Sequence, residues 1–486
     1  MRRFIEPPSE WTIGSSAHHA AILFAVVLLV GMAVGRLASQ QKETVVDIGS
    51  RLEPFVDETL IERFDGASLQ LTPPTRREVV LTLDQPWEGR HSAYFTVFRD
   101  GDRVRLYYRG YCPDDMAEQQ VTCLAESDDG VHFRRPELGL YDFQGTNKNN
   151  IVFRGLEAHN FAPFKDENPA ANPDERYKAV GGVASKLYAF VSPDGIRWRK
   201  LRGEPILAEG AFDSLNVAFW DDHHKLYRCY SRFWSAGGYA GYRAIQSSTS
   251  SDFLRWSSPV PNEYPGNPPQ EHFYTNATTP HPSAPHILLS FPMRFVPERT
   301  KLTGHPEPGV SDAVFMSSRD GVRWNRAFLE AWLRPGLDER NWTHRNIMPA
   351  WGIVETGDEF SLYVSEHYAW PDNRLRRVTV PRNRFASVAA GARGGSVTTK
   401  PLRFSGRRLH LNYSTSAAGA ISCELLRPDG APIPGFTSAE FQPLFGDELD
   451  AAVTWRGRDI ADAQVNPLRI RFVLRDANVY SLQTRD

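Results

Sequence analysis

Cysteine is scarce in this chain, with four among 486 residues. Cys112 and Cys123 flank a hairpin-like segment, CPDDMAEQQVTC. Two readings of that pair stand side by side: a disulfide in an oxidising compartment, or two free buried thiols. Cys229 and Cys423 lie far apart, and no Cys or His spacing matches a zinc site, so a metal-folded module is excluded. An excess of one charge sign is missing too. Lys and Arg number 56 against 58 Asp and Glu, a formal charge of −2. No long like-charge run occurs, so nucleic acid is not expected as a partner. Long apolar runs are reduced to one, AAILFAVVLLVGMAV at residues 20–34. It falls short of the roughly 20 residues that cross a bilayer and suits an export signal better. Arg2 and Arg3 precede it, and Arg36 stands where signal cleavage wants a small residue. Residues 1–43 are therefore expected to act as a signal sequence or membrane anchor, the alternative being a buried core helix. A periplasmic or extracellular location follows, with membrane contact through this segment alone.

Aromatic residues are plentiful at 12%, beside 36 Gly and 35 Pro. This is the make-up of a β-rich chain with many turns. The turns repeat. SDDGVHF begins at Ser127, SPDGIRW at Ser192, a worn copy SSDFLRW at Ser250, and SRDGVRW at Ser318. The gaps of 65, 58 and 68 residues define a period, and a further step reaches a degenerate copy at Pro381, PRNRFAS. Before each turn come three strand-like runs, as in NVAFW and KLYRCYSRF of the third repeat. Four antiparallel strands repeated five times predict a five-bladed β-propeller over residues 44–390. A strand from the first part of this range is expected to complete the last blade and close the ring. Beyond the linker AAGARGGS, short alternating strands predict a small β-sandwich over residues 391–486. The fold expected is all-β.

Aligning the repeats places the site. Each inner strand starts with a small polar residue: Ser92, Asn160, Asn216, Asn276 and Asn346. The second strands return to the same mouth of the channel and end at Arg109, Gly182, Arg232, Arg294 and Glu366. The residues just before the inner strands join them there, among them Glu88, His91, His159, Asp213, Glu271, His272, His344 and Arg345. The carboxylates of the other turns fall on the opposite face or the outer rim. Carboxylates, guanidiniums, amides and aromatics around an open mouth suit a carbohydrate, with Trp87, Phe161, Trp234, Tyr274 and Trp342 as stacking faces. Glycosidic cleavage needs two carboxyl groups in different roles. Glu88, Asp213 and Glu366 are the catalytic candidates. His91, Arg109, His159, Asn160, Asn216, Arg232, Asn276, Arg294, Arg345 and Asn346 are the substrate-binding candidates. No cofactor is required, and a metal ion in the central channel is left open without a motif that demands one.

PWEG, NFAPFKDENP, ERYKAVGG, SPDGIRW, FDSLNVAFW and SRDGVRW, with GDELDAAVTWRG and LRIRFVLRDANVYSLQ near the C-terminus, resemble bacterial proteins placed beside the glycoside hydrolase family 32 and 43 propellers. The resemblance covers about residues 52–486 and implies a five-bladed propeller with an accessory sandwich and glycosidase activity. Those hydrolases set a catalytic Asp at the start of the first blade and another in the next. Here Glu88 takes the first position and Asn160 stands in the second. The turns are also similar to those of sialidases, one residue shorter, and three arginines in phase leave an acidic sugar open as substrate. A sugar-binding propeller without catalysis and a phosphorylase are the competing expectations.

Overall fold

The computed structural model describes residues 44–111, 119–305 and 307–486. The export or anchor segment expected at 1–43 lies outside the described residues. Among the described residues no helix is long and apolar enough to cross a membrane. Val46–Asp486 forms one unit.

Antiparallel sheets follow one another along the chain. Blade one pairs Ala93–Asp100, Arg103–Arg109, Val121–Ser127 and Ile151–Arg154 in that order. Blade two pairs Ala162–Lys165, Tyr177–Val183, Lys186–Ser192 and Arg199–Lys200. Blade three pairs Val217–Asp221, Leu226–Trp234, Arg243–Ser250 and Val260–Pro261. Blade four is split into two three-stranded pieces. Its second strand breaks between Ala284–Ser290 and Met293–Val296, at Pro292, which has no N–H for a ladder bond. In blade five Met348–Pro349 and Glu359–Glu366 are followed by Arg374–Pro381, and the outer strand is Thr75–Thr82 from the other end of the propeller sequence. Thr82 faces Arg374 and Thr75 faces Thr379. The last sheet is thus completed by a strand that is distant in sequence, which ties the two ends of this region together.

The repeated turn is a latch between blades. In SRDGVRW the Ser318 hydroxyl accepts from Gly321 N at 2.8 Å, and Asp320 Oδ1 accepts from Val322 N at 2.8 Å and Arg323 N at 2.7 Å. Gly321 has φ 84, and a Cβ there would meet Arg228 and Tyr230 of blade three. The Tyr230 hydroxyl donates to Gly321 O at 2.8 Å. Tyr107 of blade one grips Gly195 O of the blade-two turn at 2.9 Å, and Tyr363 of blade five grips Gly130 O of the blade-one turn at 2.6 Å. In the worn copy Phe253 replaces the glycine at φ 64 and packs on Tyr227.

The sandwich draws on both ends of the described chain. Arg408–Leu426 and Arg469–Arg485 are its long paired strands, joined by Ala386–Ala390, Gly395–Thr399 and Asp447–Val453. Its core includes Phe55, Val388, Leu409, Trp455 and Phe472. Ile61–Asp65 pairs with Gly395–Thr399, Ser68–Leu71 with Ala386–Ala390, and Glu53–Pro54 with the last strand. This corrects the expected boundaries at 44 and 390. Strands at 53–71 and at 386–390 belong to the sandwich sheet, because their apolar faces meet its core. Glu53 is buried where sandwich meets propeller. Burial alone would raise its carboxyl pKa, but His286 and Arg319 of blade four hold it down to about 2. Cys123 is a buried free thiol, and Cys112 lies outside the described residues.

Candidate functional site

The end of the channel at which the inner strands begin gathers four arginines and three tyrosines. Arg109 ends a second strand, Arg232 lies two residues before the end of another, and Arg243 opens a third strand beside Trp234. Arg345 precedes the inner strand of blade five. Arg232, Arg243 and Arg345 approach the Tyr274 ring at 5.1, 5.1 and 5.2 Å. Arg109 lies 4.7 Å from the Tyr94 ring, and Arg345 donates to the Tyr368 hydroxyl at 3.2 Å. Two of these residues sit on bent backbone. Tyr94 and Arg345 each have φ 57, and a break in register between Ala93 and Thr96 turns Tyr94 out of the ladder. Left-handed conformations of this kind cost ~1–3 kcal/mol and cluster where a fold aims side chains at a site.

One candidate acid stands in this cluster. Asp213 binds Arg232 through Oδ1; the carboxylate is 40% exposed and the guanidinium 4%. Glu307 adds a second carboxylate at the rim, 2.8 Å from His344 and 3.9 Å from Arg345. His159 lies against Tyr94 and donates from Nδ1 to Gln120 Oε1 at 2.9 Å, leaving Nε2 to accept from Arg109 at 3.3 Å. Burial and the Arg109 and Arg345 charges push its pKa down to about 3. Burial and Arg345 bring His344 down to about 4. Both rings are neutral at pH 7. The mouth thus sets four guanidiniums against two carboxylates and carries net positive charge on a nearly neutral protein.

The other catalytic candidates are corrected by their surroundings. Glu88 is fully buried beneath blade one. Its carboxylate takes Arg135 Nε and Nη2 at 2.8 Å each and accepts from Tyr108 and from Gln85 N. Glu366 is 1% exposed and points along its sheet to Arg374, Arg376 and Arg76 at 3.0, 2.9 and 3.6 Å. Both are internal counter-ions, because the strand-end phase that selected them does not say which way a side chain points.

The asparagines are ties. Asn160 donates to Gly182 O at 3.1 Å and Phe212 O at 2.6 Å and accepts from Gly182 N at 2.7 Å. Asn216 donates to Phe212 O and Ser214 O, and Asn276 accepts from Thr278 N. Asn346 accepts from Tyr368 N at 2.8 Å. All four are at most 2% exposed, so these amides hold backbone rather than ligand. Arg294 is drawn away between Glu271 and Asp312, both within 2.9 Å. Arg109 is largely spent on His91 O, Tyr368 and His159. The His91 ring packs 5.7 Å from Tyr368 at the mouth. Of the proposed stacking faces, Trp234 and Tyr274 belong to the cluster. Trp87 is buried on Asn150, Phe161 stacks on Phe153, and Trp342 lines a separate groove with Arg294. Arg243, Tyr94 and Tyr368 were missed. Arg243 had a signal, since a third strand starts where the second ends. Among the described residues no three His, Cys, Asp or Glu side chains gather as a metal site.

No family model matches the chain, and no curated protein matches it. Several solved structures are similar. A protein described as a glycoside hydrolase has 14% identity over 64% of this chain and 92% of its own, with a TM-score of 0.45. A glycoside hydrolase family 43 arabinoxylan arabinofuranohydrolase from Bacillus subtilis has 11% identity over 83% and 98%, TM-score 0.40. A β-1,2-mannobiose phosphorylase from Listeria innocua has 12% identity over 61% and 90%, TM-score 0.38.

Proposed function

We propose that this chain is a carbohydrate-active enzyme that takes the anionic part of a glycan at the propeller mouth, with Asp213 as a reacting carboxylate. The convergence of Arg232, Arg243 and Arg345 around Tyr274 carries the reading. Guanidiniums match carboxylate, sulfate and phosphate oxygens through paired N–H groups. The Nε–H groups of all three are buried without an acceptor among the described residues. The partly exposed Trp234 beside them supplies apolar surface for a sugar ring. Asp213 is the more open partner of its ion pair and is oriented by Arg232. Glu307 across Arg345 is the second carboxylate that bond cleavage by two acids would use. The apolar run at 20–34 supports a place for the enzyme outside the cytoplasm, which fractionation of cells expressing the full chain would check.

The test is calorimetric titration with glucuronic acid, galacturonic acid and the trimers of each, followed by product analysis. Arg345→Gln should weaken binding about 10- to 100-fold, the worth of one charged hydrogen bond. Asp213→Asn should retain binding and release no product. A wild-type chain that binds none of these acids sinks the reading. Binding without products, in wild type and variant alike, would make the mouth a glycan receptor instead.

A further inference from the structure

We infer that a second saccharide unit of the same glycan binds beside the mouth, in a groove between the rims of blades two and three, with Tyr239 as its stacking face. The inference rests on the reading of the mouth as a glycan site. The groove has a volume of about 370 Å³ and is lined by Ala184, Ser185, Gly210, Ala211, Trp234 and Tyr239 among others. That is enough for a small ligand, whose sites span roughly 300–1,000 Å³.

Groove and mouth share a wall. Trp234 packs 5.8 Å from Tyr239 and meets the Arg243 guanidinium at 4.4 Å. The floor at Gly210 and Ala211 leads within two residues to Asp213. Phe212 N bonds Ala184 O at 2.7 Å and Ala211 N bonds Arg232 O at 2.8 Å, which joins both rims to the floor. A sugar in the groove and an anion on the arginines would share one indole as neighbour.

Tyr239 is held outward at a cost. It is 59% exposed, in a left-handed conformation with φ 67. A non-glycine residue there costs ~1–2 kcal/mol. The loop around it is ordered. Ser235 N bonds Tyr242 O at 2.9 Å, Ala236 N bonds Ala240 O at 3.2 Å, and Tyr242 N bonds Ser235 Oγ at 2.8 Å. Gly237, Gly238 and Gly241 take the remaining positive φ values. Burial in a core does not explain an aromatic at this place, since the side chain is mostly exposed and glycine would close the loop with less strain. The Trp234 Nε1–H is buried without an acceptor among the described residues. An aromatic face, an indole donor, a serine hydroxyl and small side chains along the floor match a pyranose, with one apolar face and a rim of hydroxyls. The ligand class is therefore an oligosaccharide of at least two units, one of them anionic.

The experiment titrates wild type, Tyr239→Ala and Tyr239→Phe with glucuronic and galacturonic acid and with the trimers of each. The trimer should bind wild type at least tenfold more tightly than its monomer. Tyr239→Ala should remove that gain and leave monomer affinity within twofold, and Tyr239→Phe should keep it. Equal affinity of wild type for monomer and trimer, or an unchanged trimer affinity in Tyr239→Ala, overturns the groove. Failure of every acid to bind wild type overturns the reading of the mouth instead. An acidic hexapeptide that binds with the same dependence on Tyr239 overturns the saccharide class.

Discussion

Replacing Glu366 by glutamine keeps the shape of the side chain and removes its charge. In the folded chain that carboxylate, 1% exposed, is shared by Arg374, Arg376 and Arg76, whose side chains are 21, 20 and 33% exposed. Stripping one partner from a buried ion pair costs ~3–5 kcal/mol, because the charge left behind is uncompensated. Here the arginines keep some water, Arg374 keeps Asp338 at 3.0 Å, and the amide oxygen still accepts a hydrogen bond. The expected loss is about 2–3 kcal/mol. For a chain of this size 1 kcal/mol moves the unfolding midpoint by about 1–2 °C, so the variant should melt about 2–6 °C lower. Arg76 lies on the closing strand, so the weakening falls on the seam of the ring. Scanning calorimetry reads the shift, and glycan titration at 25 °C shows an unchanged mouth. A variant that melts like wild type yet loses turnover would restore Glu366 as a reacting acid and refute the argument.

Asn160→Ala should destabilise the chain by about 2–4 kcal/mol by stranding Gly182 and Phe212 backbone groups, while anion affinity stays within twofold; a large affinity loss with an unchanged midpoint would return Asn160 to the site. Tyr230→Phe removes one inter-blade hydrogen bond to Gly321 O and should cost about 1 kcal/mol in urea unfolding, whereas no change would show that the latch is idle. Anion affinity should be flat between pH 8 and 5.5, because His159 and His344 titrate near 3 and 4 and the charge comes from arginine; affinity rising as pH falls through 6.5 would show an imidazole charging instead. Glu53 has the opposite consequence for stability. Its folded pKa near 2 lies below the usual 4.5, so its contribution is complete above about pH 4.5 and is lost as pH falls toward 2; Glu53→Gln should flatten that acid limb of the melting curve.

The ring was legible because a repeat constrains a fold at long range with local means. Four turns in phase, at Ser127, Ser192, Ser250 and Ser318, mark the antiparallel strands that precede them. Phase along the chain does not give direction. Asn160 and Arg232 reach the same end, both meeting the Ala211–Phe212 backbone there, yet one turns into backbone and the other toward Asp213. Arg294 left the ring because the break at Pro292 resets its strand and leaves Asp312 as its cross-strand partner. Tyr94 entered through a bulge, which no composition signal announces. Strands at 53–71 read as strands, but a strand carries no local mark of which sheet it will join.

The closing strand also sets a clock. Arg77 and Arg376 meet across 299 residues of chain, so Thr75–Thr82 has no partner until the last blade exists. At synthesis rates of ~5–20 residues per second, the wait is about 15–60 s. The sandwich waits longer, because Ile61–Asp65 and Ser68–Leu71 pair with strands beyond residue 385. The propeller strands form one continuous stretch, Thr75 to Pro381, inserted in the sandwich, so it is the sandwich that cannot be cut out as a continuous segment. A chain built this way commits its domains in order, the propeller once Pro381 is made and the sandwich only when Arg469–Arg485 follows about 5–20 s later.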